Sequence, residues 1–239
     1  MVDPACAAEG MCRPEIESLL REGEQIFVAA LEPTPIVFEP GEALMRLGEA
    51  HEYVYVIEHG WLARVRTIED GRRQIIVVFL AGDTCGIKTI FLRQQPDAIE
   101  ALARASARRI HYRDACDLAA REFPVSMHLA WQLARDERHL HNWNVRLGRG
   151  NAEERLGGLL LEFRDRQAAR QIGDGRRYPL PITQQHIADH VGLTVVHVNR
   201  VLRRFRELDM VAVQRGKMVF LENAAELEAL ARPLQDQTV

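Results

Sequence analysis

Two patterns of apolar and polar positions divide the chain. In the first half the apolar residues come in short blocks: "YVYVI" (Tyr53–Ile57), "WLARVRTI" (Trp61–Ile68) and "QIIVVFL" (Gln74–Leu80). Gly41, Gly48, Gly60, Gly71 and Gly82 separate them. β-Branched and aromatic residues dominate the blocks, and such side chains suit a pleated, half-buried surface. Most glycine intervals fit one strand plus one turn, and "EDG" (Glu69–Gly71) is a hairpin signal. The pattern predicts an antiparallel barrel or jelly roll with no helices between its strands.

From Pro124 the period lengthens. Leu129, Leu133, Asp136, Leu140, Trp143 and Leu147 recur at alternating steps of four and three, the seam of a two-stranded coiled coil. The same stripe also suits a helix packed on its own domain. Its narrowness, with Arg135, Arg138, His139, His141 and Arg146 close beside it, favours a dimer. Asp136 is the one polar residue of the stripe and would repel its twin. Replacing it by Leu or Ala is therefore expected to raise dimerisation. "GRGNAEERL" ends this helix and starts another running to about Arg170, with Asn151 and Glu154 spaced as a capping box. "QIGDGRRYPLP" reads as a loop.

The segment "ITQQHIADHVGLTVVHVNRVLRRFRE" (Ile182–Glu207) holds two more helices. Thr183 is placed to cap the first, which runs to about His190. Gly192 supplies the positive φ of a tight helix–helix turn, and Thr194 caps the second helix. Val195, Val198, Val201, Leu202, Phe205 and Leu208 form one apolar face. Val196, His197, Asn199, Arg200, Arg203, Arg204 and Arg206 occupy the other. An exposed, short, basic helix of this kind fits the major groove of B-DNA. "MVAVQRGKMVFLEN" then predicts two strands around a tip of Arg215, Gly216 and Lys217, suited to a phosphate backbone.

Charge sharpens the picture. The 239-residue chain has a net charge of −3, yet between Arg164 and Lys217 eleven Lys/Arg face five Asp/Glu. An anionic partner for one domain requires such an asymmetry. No apolar run approaches the ~20 residues of a membrane span. The N-terminus lacks the basic start and apolar core of a secretory signal, so a cytoplasmic protein without membrane partners is expected. Cys6, Cys12, Cys85 and Cys116 are too sparse for a disulfide framework.

Gly192-Leu193-Thr194, followed by Asn199-Arg200 and Leu202, resembles the helix-turn-helix of the CRP/FNR superfamily of bacterial transcription regulators. "NAEERL" (Asn151–Leu156) is similar to the opening of the DNA-binding domain in the FNR branch. "FEPGEALMRLGE", "YVIEHGWLARVR" and "FLAGDTCG" resemble the family's glycine-marked β-roll. The resemblance spans about Glu15 to Glu226 and implies an α+β architecture in three parts. These are an N-terminal arm and cyclic-nucleotide-binding-like sensory β-roll (1–122), a dimerisation helix (123–149) and a winged helix-turn-helix (150–239). It further implies a homodimer on double-stranded DNA carrying an inverted repeat, with RNA polymerase as a protein partner.

Arg200 is the leading base reader, because a guanidinium can bridge O6 and N7 of guanine and the family uses an arginine at the matching position. The Asn199 amide can pair with adenine, and Val196 can touch a thymine methyl. His197, Arg203 and Arg204 are placed as phosphate partners, with Thr183, Gln184 and Thr194 at the helix starts beside them. Both well-known branches carry a glutamate where this chain has Val196, so no family operator sequence transfers.

The resemblance also frames the sensor. The cyclic-nucleotide branch uses a Gly-Glu and an Arg-Ser pair, where this chain reads Gly86-Ile87 and Asp97-Ala98. A cyclic phosphate would face the Asp97 carboxylate, which disfavours cAMP. In the FNR branch an iron–sulfur cluster is held by four cysteines. Cys6 and Cys12 match the spacing of the last two N-terminal ones. The preceding position falls on Asp3 and the internal one on Arg108. Asp3 as an oxygen ligand, with Cys85 or Cys116 as a third sulfur, would have to complete the set. Zinc, thiol oxidation of Cys6 and Cys12, and the absence of any ligand stay open beside the cluster. No histidine among His51, His59 and His111 stands out as a haem ligand. The other class considered is a cupin-like metal-binding barrel or enzyme. Cupin sites need histidines two residues apart in the barrel, whereas His139 and His141 fall on the predicted helix. No nucleophile elbow, P-loop or dinucleotide fingerprint is present, so an enzyme is not expected.

Overall fold

A computed structural model describes residues 13–232. The chain divides into two compact units, the first ending at Arg138 and the second beginning at His139.

The first unit opens with α1 (Pro14–Ala29), which has proline in its first turn beside Glu15 and Glu17, favourable at the positive end of the helix dipole. The strands follow as β1 (Ile36–Phe38), β2 (Ala43–Met45), β3 (Tyr53–His59), β4 (Leu62–Thr67), β5 (Arg73–Phe79), β6 (Thr84–Cys85), β7 (Ala98–Ala101) and β8 (Ala105–His111). A 3-10 turn, Ile87–Ile90, lies between β6 and β7. Two antiparallel four-stranded sheets result, in the orders β1-β8-β3-β6 and β2-β7-β4-β5. Helix α2 (Tyr112–Arg121) and the long α3 (Phe123–Arg149) come next. Strand alternation sends Val54, Val56 and Ile110 to one face of the first sheet, where they form a core with Phe27, Leu31, Ala115, Val125 and Leu129. Gly23 is required where α1 meets α3, since a Cβ there would collide with the Pro124 carbonyl oxygen.

Three expectations change in this unit. Helices α1 and α2 flank a region read as strands alone. Their apolar residues serve a core shared with a distant sheet and so carry no clear local period. Part of the expected dimer seam also turns inward, while Leu140 and Leu147 stay half-buried. Leu129 lies in the core just described, with Leu133 packed against it. Asp136 accepts a 3.0 Å hydrogen bond from Arg64, a buried guanidinium of β4 that also sits over the Phe79 ring. Beside it Arg135 lies 3.5 Å from buried Asp83. Asp136 is therefore neutralised by its own chain, which removes the physical ground for repulsion between twin aspartates.

The second unit contains the rest of α3, then α4 (Ala152–Ala168), β9 (Arg177–Pro179), α5 (Gln184–Val191), α6 (Val195–Glu207), β10 (Val211–Gln214), β11 (Lys217–Phe220) and α7 (Ala224–Ala231). Asn151 caps α4 by accepting from the backbone of Glu153 and Glu154, while the Glu154 carboxylate accepts from the Asn151 backbone. The expected capping box is present. Leu156, Leu159, Leu160 and Phe163 of α4 form the core with Ile187, Val198, Phe205, Met218 and Leu227. Within the segment expected as loop, β9 forms an edge strand paired with β11, its Tyr178 buried against Phe220. Trp143, assigned to the dimer seam, is 4% exposed and belongs to this core.

Candidate nucleic-acid interface

The helix pair α5–α6 is built by local chemistry. Thr183 Oγ1 accepts from the His186 backbone at 3.1 Å and caps α5. Gly192 ends α5 at φ 67°, a left-handed conformation that a side chain would strain. Thr194 Oγ1 then accepts from the His197 backbone at 3.2 Å and starts α6. Arg155 of α4 donates to the carbonyl oxygens of Gly150 and, at 3.5 Å, Val191, holding the end of α5 to the start of α4.

Helix α6 divides sharply. Val198, Val201, Leu202 and Phe205 are buried, while Val196, Asn199, Arg200, Arg203, Arg204 and Arg206 face solvent. Leu208, expected on the buried face, is exposed because the helix ends at Glu207. The exposed arginines are not equivalent. Arg203 pairs with Glu207 at 3.7 Å, and Arg204 with Glu153 of α4 at 3.1 Å. Arg200 and Asn199 have no hydrogen bond or ion pair among the described residues. An open groove of about 630 Å³ runs beside this face, lined by Asn151, Glu153, His197, Arg200, Arg204 and Glu207. Thr183, Gln184 and Thr194 are exposed at the two helix starts. The hairpin β10–β11 turns through Arg215 (φ 48°) and Gly216 (φ 73°) and, with β9, completes a three-stranded wing.

A largely buried carboxylate, which the sequence reading missed, fixes this platform to the last turns of α3, within the second unit. Glu162 Oε2 accepts from Trp143 Nε1 at 3.1 Å and from Arg146 Nη1 at 2.7 Å. His139 Nδ1 and Arg166 Nη1 lie 3.5 and 3.7 Å from its other oxygen. The Trp143 ring contacts buried His190 of α5, centroid to centroid 4.3 Å. Burial alone would push the Glu162 carboxyl up, but His139, Arg146, Arg166 and His190 outweigh it and hold it at about 2. The pattern that reveals this hub is His139, Trp143 and Arg146 at steps of four and three, of which the seam reading takes Trp143 as a dimer contact and the other two as polar flanks.

The sensory candidates are placed less favourably. Cys85 is buried in β6, and burial pushes its thiol up to about 12 against the pull of nearby Arg64. That is the opposite of a reactive thiolate. Cys116 lies half-buried on α2, and both cysteines are free. Among the described residues no three His, Cys, Asp or Glu side chains gather as metal ligands. Asp3, Cys6 and Cys12, the rest of the set considered for an iron–sulfur cluster with Cys85 or Cys116, lie outside the described residues. Asp97 is 8% exposed and engaged by Arg66 at 2.7 Å and Lys88 at 3.4 Å. The position expected to meet a cyclic phosphate is thus filled by a carboxylate that already consumes the local cations. Arg108, at the position of the family's internal cysteine, pairs with Glu58 at 2.6 Å.

A two-sheet roll, a long helix and a winged helix pair with a basic outer face together define a DNA-binding regulator with a sensory domain. Residues 35–122 match the cyclic nucleotide-binding domain family and residues 154–230 the Crp-like helix-turn-helix domain family. The chain is 28% identical over 228 residues to the fumarate and nitrate reduction regulatory protein of Vibrio cholerae, covering 95% of this chain and 88% of that protein. It is 28% identical to the anaerobic regulatory protein of Aggregatibacter actinomycetemcomitans, covering 81% of this chain and 74% of that one. The fold is similar to the structure of FixK2 from Bradyrhizobium japonicum, with TM-score 0.75 and 27% identity, covering 82% of this chain and 96% of that one. The chain belongs to the CRP/FNR superfamily of transcription regulators and stands nearer its FNR branch. Its function is transcription regulation through a helix-turn-helix DNA-binding domain, and not enzymatic catalysis. Among the described residues no helix is long and apolar enough to cross a membrane.

Proposed function

We propose that the chain binds an inverted-repeat operator as a homodimer, each protomer laying α6 in a major groove. The carrying observation is the exposed Arg200, without a partner among the described residues, on a helix whose opposite face is buried. A guanidinium free of intramolecular partners reaches guanine O6 and N7 without first breaking a bond. Asn199 stands beside it for adenine. Val196, 71% exposed on an otherwise polar face, is suited to a thymine methyl. His197 and Arg203 serve phosphates, as do Thr183, Gln184 and Thr194 at the helix starts.

The dimer seam is reassigned to the outer side of α3. Met127, Ala130, Ala134 and His141 keep heptad-like steps, displaced by one position, roughly 100°, from the inward stripe, with Val145 one turn beyond His141. Ala130 and Ala134 are exposed and small enough for two helices to approach closely, and Val145 is half exposed. The three-part division at 122 and 149 is kept as the functional division, with α3 serving both units. RNA polymerase is the protein partner and the cytoplasm the setting that this reading carries.

For the signal, the filled Asp97 position argues against a cyclic nucleotide. Cys85 argues against thiol chemistry inside the roll. A redox or oxygen signal would therefore enter through Cys6 and Cys12 with Asp3. Selection of bound duplexes from a random pool, combined with sedimentation, tests the function. The expected outcome is a dimer enriching an inverted repeat with half-sites one helical turn apart, ~34 Å. A monomeric species, or a pool without symmetry, would overturn it.

A further inference from the structure

Two adjacent glutamates open α4, and the structure gives them different work. Glu154 closes the capping box with the Asn151 backbone. Glu153 accepts from no backbone group there. Its carboxylate instead meets Arg204 Nη1 at 3.1 Å, across the groove that Arg200 also lines. It is the only acid among the groove's lining residues that comes from outside α6. The pair sits at the lip, with the Arg204 side chain 62% and that of Glu153 27% exposed. Solvent screens an ion pair so placed, so it adds little to folding. A phosphate entering the groove would meet it directly.

We infer that Glu153 is a positioning residue that sets the strength of DNA binding by withholding Arg204 from the phosphate backbone. This rests on the proposed docking of α6. Arg204, held at hydrogen-bond distance by a carboxylate of a second helix, brings no net charge to the duplex and releases no counterion when it arrives. Arg203, 3.7 Å from Glu207, is beyond hydrogen-bond reach of its partner and turns freely to a phosphate. With Glu153 made neutral, Arg204 becomes one more phosphate ligand, which steepens the salt dependence by ~0.9 in log–log slope. At physiological salt that corresponds to a gain of about fivefold for any sequence. Arg203, whose partner Glu207 lies on the same helix, is not touched by this change.

The test is a titration of a random-sequence duplex across a potassium chloride series. It compares the full chain with Glu153→Gln, Arg204→Ala and the double variant. Glu153→Gln is expected to bind about fivefold tighter with the steeper slope, and to melt with the parent. In the Arg204→Ala background the same change is expected to do nothing. An unmoved or shallower slope overturns the inference, as does an equal gain without Arg204, which would make Glu153 a bulk charge. If the parent itself ignores every duplex, the docking of α6 fails first. If the parent binds and the slope stays fixed, only the role of Glu153 fails.

Discussion

Arginine does two different things in this molecule. In the first unit Arg64 is 5% exposed, bonded to Asp136 and seated over Phe79; in the second Arg146 is 7% exposed and bonded to Glu162. On α6 the arginines stand in solvent, and Arg200 has no partner among the described residues. A buried, paired guanidinium is a strut whose loss leaves an opposite charge stranded. An exposed, unpaired one contributes little to folding and is available to a ligand. Composition alone does not separate the two classes, whereas burial and partners do.

The largest expected effect breaks the struts. Glu162→Ala strands Arg146 and removes the acceptor of Trp143, which should cost the second unit about 3–5 kcal/mol in chemical denaturation. Glu162 is also the pH-sensitive strut. Its carboxyl is held below its ordinary 4.5, at about 2, so its contribution is complete above the unfolded value. Stability should therefore fall as pH drops from about 4.5 towards 2, and Glu162→Gln should flatten that part of the profile. Asp136→Ala should cost on the order of 3 kcal/mol by uncovering Arg64, with no gain in dimerisation. A stabler or tighter dimer from that variant would restore the repulsive seam.

Ala134→Glu should leave folding intact and weaken dimerisation by roughly tenfold or more in sedimentation, since each protomer would bury a charge facing its copy. Least of all, Arg203→Ala should leave the melting profile unchanged and weaken binding to all duplexes alike, lowering the salt slope by about 1. Base preference shifting in Arg203→Ala would blur the line between positioning and reading arginines.

The second unit was the more legible in sequence because its signals are local. Asn151 with Glu154, Thr183, Gly192 and Thr194 each act within a few residues, and the structure has each of them capping or turning as the spacing implies. The wing hairpin follows for the same reason, while β9 did not, because its only strand signal is pairing with a segment far along the chain. The stripe on α3 shows the limit most clearly. Its period was readable, but which side faces the chain itself depends on the sheet carrying Val54 and Val56 and on the distant residues Arg64 and Glu162. For the same reason Glu153 and Glu162 drew no notice as site residues. Each becomes informative only once folding brings an arginine to it.

The most direct test of the central claim repeats the random-pool selection with Arg200→Ala beside the parent. The expected result is the same inverted repeat with one base position per half-site relaxed, at a cost of ~1–3 kcal/mol on the parent's preferred site. Identical base preference in the two pools would contradict the assignment of α6 as the element that reads the operator through its unpaired arginine.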